Sequence, residues 1–200
     1  MLQTIVDMYH RIKEKLELRQ YDDFTIENYF RKKGVSIGYR NRIMIKSFGE
    51  SSWLVDIGNH CTITNGVQFI THDGGTWVFT DEMPDLQKFG TIKICDNCFI
   101  GLNSVILPNV IIGPNSIVGA CSVVTKNVPN DTVVAGNPAR VVCSLSEYRK
   151  KVIDIWEKQK PKDYLKELKI GVKYEPEFID KMKKNEITLL YDHLKKISLL

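Results

Sequence analysis

"ICDNCFIGLNSVILPNVIIGPNSIVGACSVVTKNV", residues 94–128, places an aliphatic residue at every sixth position: Ile94, Ile100, Ile106, Ile112, Val118 and Val124. The same step runs upstream through Ile57, Ile63 and Phe69. Four places on stand smaller residues, Cys61 and Val67, then Cys98, Ser104, Val110, Ser116, Ser122 and Val128. Neither a helical period nor strand alternation yields a step of six. It predicts a solenoid whose coil has three flat sides, each a short strand and a turn, with the aliphatic and the small residue pointing inward. Asparagine precedes the small position at Asn97, Asn103, Asn109, Asn115 and Asn127. It tolerates left-handed backbone and so suits a recurring corner. Glycine follows the aliphatic residue at Gly58, Gly101, Gly113 and Gly119, where a side chain would crowd the neighbouring coil.

The rhythm fails after "FITHDGGTW", residues 69–77. In register, the next side would begin at position 75, yet the step resumes at Ile94, so about nineteen residues leave the wall. A long loop inside a compact repeat is usually functional or disordered, and the aromatic pair Trp77 and Phe79 argues against disorder. His72 stands at the base of this loop, on a corner. A scaffold-held histidine facing a cleft suits proton abstraction, because its ordinary pKa is about 6.5. On the residues alone, a polar surface histidine is the other reading.

The period of six resembles that of the hexapeptide-repeat acyltransferases, and the resemblance spans residues 35–143. It implies a mainly β fold, a left-handed parallel β-helix, with an extended loop at about 73–92 and assembly as a homotrimer. "THDGGTW" is similar to the loop start of the streptogramin and chloramphenicol acetyltransferase branch, where a catalytic histidine opens the loop; this implies His72 as general base. The ending "VGACSVVTKNVPNDTVVAGNPARVV" resembles the family's coenzyme A segment. That likeness assigns Gly119, Ala120, Thr125, Lys126, Gly136, Pro138 and Arg140 to the cofactor, acetyl-coenzyme A. Lys126 and Arg140 suit its phosphates, and small residues suit a narrow pantetheine arm. A plain turn at Gly136-Asn137-Pro138 is compatible with this.

The implied mechanism is direct transfer: His72 takes a proton from the acceptor, the freed nucleophile attacks the thioester, and backbone N–H groups stabilise the oxyanion. Asn65 is expected to contact the acceptor, as an asparagine does in related galactoside acetyltransferases, or to serve as a corner. Trp77 is expected to stack on a sugar, cover the pantetheine or anchor the loop, and Asp73 to orient the imidazole or cap the turn. The leading expectation is an O-acetyltransferase acting on a sugar in cell-surface polysaccharide biosynthesis. An antibiotic acetyltransferase, an amino-sugar-nucleotide N-acetyltransferase and a non-catalytic scaffold are the alternatives.

The composition is consistent with this. Two hundred residues with 43% hydrophobic and 26% charged content support one well-buried domain with appendages. The start lacks a signal-peptide pattern and no apolar run reaches membrane-spanning length, so a cytoplasmic location is expected. Five cysteines without a CxxC pair fit a reducing compartment. No His/Cys cluster resembles a zinc site: His60 and His72 lie two sides apart, and no metal is expected. The excess positive charge sits in residues 144–200 among acids, which argues against nucleic acid.

The ends read as helices. Residues 1–34 form an expected helical cap on the first coil, with Ile5, Met8, Tyr9, Ile12 and Leu16 on one stripe and a second helix from Thr25 to Gly34. Residues 144–200 read as a C-terminal helical extension, its first helix carrying Leu145, Tyr148, Val152, Ile155 and Trp156 and stopping at Pro161, with two more helical stretches beyond.

Overall fold

Apart from Phe69, the inward positions of the hexapeptide pattern are filled by branched or small side chains, and the backbone follows. The structure, a computed structural model, describes residues 2–160 and 191–197. Three parallel sheets of very short strands form the walls. The first contains β1 (Ser36–Ile37), β3 (Val55–Ile57), β6 (Ile92–Ile94) and β9 (Ile111–Ile112). The second contains β2 (Arg42–Ile43), β4 (Thr62–Ile63), β7 (Phe99–Ile100), β10 (Ile117–Val118), β12 (Thr132–Ala135) and β13 (Arg140–Ser144). The third contains β5 (Gln68–Phe69), β8 (Val105–Ile106) and β11 (Val123–Val124). From β3 to β11 the chain visits the three sheets in strict rotation, and the wall is the expected left-handed parallel β-helix.

The register stacks like on like. Ile63, Ile100, Val118 and Val134 pair in one column, and Phe69, Ile106 and Val124 in another. These side chains are buried, and each full burial of this kind contributes about 1.5–3 kcal/mol. The serines of the small columns are buried too, and their hydroxyls bond between coils: Ser104 Oγ donates to Gly119 O at 3.0 Å and Ser116 Oγ to Pro129 O at 2.8 Å. Cys61 and Cys98 occupy the expected inward positions as free thiols. The glycine requirement is clearest at Gly101, where a Cβ would lie 2.5 Å from Ala120 N and 2.7 Å from Val118 O. Both obstacles are backbone, so neither yields by a rotamer change.

Asn97, Asn103, Asn109 and Asn115 take positive φ as expected, but Asn127 does not. Its side chain instead accepts the Ile111 N–H at 2.8 Å. His60, Cys121 and Asp131 also turn corners with positive φ. At one corner the side chains form a ladder along the solenoid axis: His60 Nδ1 to Asn97 Oδ1 at 2.7 Å, Asn97 Nδ2 to Asn115 Oδ1 at 2.8 Å, and Asn115 Nδ2 to Asp131 Oδ1 at 3.0 Å. The terminal carboxylate accepts, which orients both amides and puts a proton on His60 Nδ1. Asn115→Ala should cost about 1–2 kcal/mol, from two lost bonds and an unfavourable φ. Asn115→Gly, which loses the same bonds but keeps the turn, should lose less in urea unfolding; no loss at all in Asn115→Gly would show that the ladder contributes nothing.

The N-terminal end differs from expectation in a specific way. α1 (Leu2–Leu18) and α2 (Ile26–Lys32) are both present, but α2 does most of the sealing of the first coil, with α1 adding only Leu18 at its end and Glu14, which accepts the Tyr29 hydroxyl. It buries Ile26, Tyr29 and Phe30, and the Phe30 ring leads through Phe48 to Phe69 in the wall. Its buried Glu27 is satisfied by Arg31 at 2.9 Å and by the Asn41 N–H at 3.0 Å. Asp22, not Thr25, caps this region: its carboxylate accepts from Phe24 N, Thr25 N and the Thr25 hydroxyl. Burial pushes the Asp22 carboxyl up, but those bonds outweigh it and hold it below its ordinary value. The stripe residues Met8, Tyr9, Ile12 and Leu16 of α1 are exposed among the described residues.

At the other end, β12 and β13 form an antiparallel pair joined by a turn through Gly136 and Pro138. The chain divides into two compact units after Leu145. In the second unit, α3 (Leu145–Gln159) matches the expected first helix, and α4 (Tyr191–Lys196) lies near the C-terminus. The remainder of the expected extension, between 161 and 190, lies outside the described residues.

Candidate active site

The loop that interrupts the repeat leaves and re-enters the wall at one corner, between β5 and β6. Its base is an antiparallel clasp: Gly90 N donates to Thr71 O at 2.9 Å, His72 pairs with Phe89, and Asp73 N donates to Lys88 O at 2.8 Å. The wall therefore resumes at Ile92, slightly before the Ile94 that the aliphatic step indicates. Gly90 permits the close return, since a Cβ there would lie 2.6 Å from Asn109 Oδ1. The imidazole of His72 is exposed at this junction, tilted 6.3 Å from the Phe89 ring.

Asp73 caps the short 3-10 turn Gly74–Phe79, its Oδ1 accepting from Gly75 N at 3.0 Å. Its Oδ2 accepts from Lys88 Nζ at 2.7 Å. Of the two expected roles, the structure therefore shows the turn cap. The Lys88 hydrogen bond, then that from Gly75, then the Lys88 charge hold the Asp73 carboxyl below its ordinary value. A depressed carboxyl contributes fully above its ordinary pKa, and that contribution is lost as pH falls through the lower, folded value. The Gly75 amide resonance should thus stay unperturbed down to about pH 4 and shift only below it. A transition at or above the ordinary carboxylate range would refute the clasp.

A cleft of about 470 Å³ opens beside His72. Ile70, Leu107 and Thr125 form its wall, one above another on three successive coils, because each follows the paired residues Phe69, Ile106 and Val124. His72, Asp73 and Lys88 edge it from the loop, and Asn109 and Pro108 from the neighbouring corner. The sequence reading missed Lys88, Leu107 and Asn109. Register alone identifies the latter two, while nothing in the sequence marks where Lys88 returns.

Among the other expected residues, only Thr125 shares this cleft. Lys126 follows it, exposed and without an ion-pair partner among the described residues. Gly119 and Ala120 lie where the chain enters the β11 side, with Gly119 stacked against Ala135 of the next coil. The Gly136–Pro138 turn is pinned to β11 by Val123 N to Gly136 O at 2.9 Å and Ala139 N to Val123 O at 2.8 Å. Arg140 is exposed, its guanidinium donating to Ala139 O at 3.0 Å. Asn65 lies at the preceding corner, outside the cleft lining, where its carbonyl accepts from Asn103 N. Trp77 is 79% exposed and does not line the cleft, so within one chain it neither covers the site nor anchors the loop.

Residues 91–126 match the family described as bacterial transferase hexapeptide (six repeats). Protein CapG of Staphylococcus aureus is 44% identical over 144 residues, covering 70% of this chain and 84% of that protein. The chain belongs to the hexapeptide-repeat acetyltransferases. WbbJ of Escherichia coli K12, described as a lipopolysaccharide biosynthesis O-acetyl transferase, shares 32% identity over 112 residues, 52% of this acetyltransferase and 55% of WbbJ. The structure of the hexapeptide-repeat acetyltransferase VCA0836 of Vibrio cholerae with acetyl-coenzyme A is 28% identical. It covers 66% of this chain and 84% of that one, with a TM-score of 0.48. Among the described residues of this acetyltransferase, no three His, Cys, Asp or Glu converge as a metal site requires, and no helix is long and apolar enough to cross a membrane.

Proposed function

We propose that this acetyltransferase transfers an acetyl group from acetyl-coenzyme A to a hydroxyl of a sugar destined for a cell-surface polysaccharide, in the cytoplasm, with His72 as general base. The observation that carries the reading is that His72 and Thr125 line one cleft, although 53 positions apart in sequence. The WbbJ relationship favours an O-linked carbohydrate acceptor.

The residues fit the donor. Along the β11 side the outward positions are small, at Ala120 and Thr125, so a thin chain can run against backbone. Lys126 and Arg140 place two exposed cations near that path, suited to phosphates. When bound, acetyl-coenzyme A supplies the acetyl group as an activated thioester. His72 accepts the proton of the acceptor hydroxyl as that oxygen becomes a nucleophile. The Asp73–Lys88 ion pair fixes the loop base on which His72 sits. The imidazole is thereby positioned by backbone pairing, beside the Phe89 ring.

A single chain leaves the site open. Trp77, Val78, Phe79, Met83 and Phe89 are all exposed on the loop, and α1 exposes its apolar stripe. Apolar groups so concentrated mark an interaction surface, and a homotrimer covers them with neighbouring copies. Sedimentation equilibrium should give three times the mass of one chain, and Trp77→Glu should lower it. A monomeric wild type would sink the trimer.

Thiol release from acetyl-coenzyme A, measured against nucleotide sugars, free sugars, oligosaccharides, and streptogramin and chloramphenicol acceptors, tests the reaction. Release with a carbohydrate hydroxyl supports it. Release only with an amino sugar or an antibiotic overturns the acceptor assignment, and failure to bind coenzyme A overturns the donor.

A further inference from the structure

A second cleft, of about 710 Å³, lies at the N-terminal end of the solenoid, between the last turns of α1 and the first coil. It shares no lining residue with the His72 cleft. Lys15 reaches it from α1, Arg19 from the turn that follows α1, and Lys46 and Ser47 from the chain just after β2. Tyr21 and Leu18 complete the wall. Its volume is in the range of sites for small organic ligands.

Its polar groups are nearly all donors. Lys15, Arg19 and Lys46 have no ion-pair partner among the described residues. Ser47 Oγ accepts the Gly49 N–H at 3.0 Å, which leaves its own hydrogen to donate. Tyr21 Oη accepts from Lys32 Nζ at 3.4 Å and likewise keeps a proton. The carboxylate in the lining, Glu14, accepts the Tyr29 hydroxyl at 2.8 Å. Burial, then that bond, push the Tyr29 phenol above its ordinary value, so it stays a donor to Glu14. The last carbonyls of α1 are also spent: Glu17 O accepts from Gln20 N and Leu18 O from Tyr21 N. The cleft thus offers three cations and two hydroxyls with little to accept in return. A ligand suited to it is rich in acceptors and negatively charged, because three cations outnumber the single carboxylate Glu14.

We propose that this cleft binds the phosphate portion of a phosphorylated small molecule, at a site separate from the acetyl-transfer cleft. Three cations lining one cleft, together with its hydroxyl donors, match phosphate oxygens. The open volume beyond them takes the organic remainder.

Inorganic pyrophosphate and a nucleoside diphosphate, titrated calorimetrically into the full chain, test this. Because Lys126 and Arg140 are a competing polyphosphate site, the titration is run on Lys126→Ala/Arg140→Ala as the background. Binding should persist there, and adding Lys15→Ala, Arg19→Ala and Lys46→Ala should weaken it by about tenfold or more. The exposed single change Lys46→Glu, which leaves α1 intact, should weaken it in the same direction and guards against misfolding. No binding in the background, or binding unchanged by both sets, overturns the proposal. KM for a phosphate-linked sugar acceptor then separates two sources of the phosphate. A KM raised by Lys46→Glu assigns it to the acceptor and supports the site. An unchanged KM with lost pyrophosphate binding assigns it to a separate ligand, and supports the site equally. The binding arms do not depend on the acceptor reading, so either can fail alone.

Discussion

His72→Ala should lower acceptor-dependent release of coenzyme A thiol by about 10²–10⁴-fold, the usual contribution of a positioned general base. The loss should fall on kcat, because the imidazole acts on the proton in flight and need not hold either substrate. His72 is exposed and its clasp is made by backbone groups, so the variant should unfold at the same urea concentration as the wild type. Coenzyme A binding should likewise persist, as the residues proposed to hold it lie along β11. Activity within threefold of wild type would remove His72 from the chemistry. Loss of coenzyme A binding would instead place His72 in donor recognition.

Ile100→Ala should destabilise the chain by about 2–5 kcal/mol. Ile100 is completely buried midway along the solenoid, stacked between Ile63 on one coil and Val118 on the next. Removing it leaves a void that neighbours cannot fill, because those coils are held at fixed spacing by backbone bonds such as Thr64 N to Ile100 O and Gly101 N to Val118 O. A fall in urea midpoint with unchanged slope would confirm the loss. Ile100→Val should cost only about 0.5–1.5 kcal/mol. If alanine cost no more than valine, the column would not be the close-packed element described.

The walls were legible because their physics repeats. One buried aliphatic per side, a small residue and a corner recur until the period is unmistakable, and Ile94 to Val124 all point inward as read. Departures occur where a second interaction replaces the repeated one. Asn127 is not left-handed because its amide is used by Ile111, and Asp131 turns its corner as the acceptor at the end of a ladder. His72 was legible as the point where the period stops, and Thr125 through family likeness. Lys88 was not, because its place depends on how the loop folds back, and that path has no period. The α1 stripe misled for a different reason: apolar spacing shows that a face needs covering without saying what covers it. Here Ile26, Tyr29 and Phe30 of α2 had already taken the first coil.

Pairing across the loop is offset by 37 residues, against 18 one coil later, and the partners on both sides of it remain in phase. The excursion therefore behaves as a cassette: it opens and closes at adjoining corner residues, and the wall does not register its length. Descendants of such a chain are free to lengthen, shorten or exchange residues 74–87, inside the clasp, without renegotiating the fold. Selection then acts on a segment whose failures are not failures of folding, while the corner that holds His72 is kept.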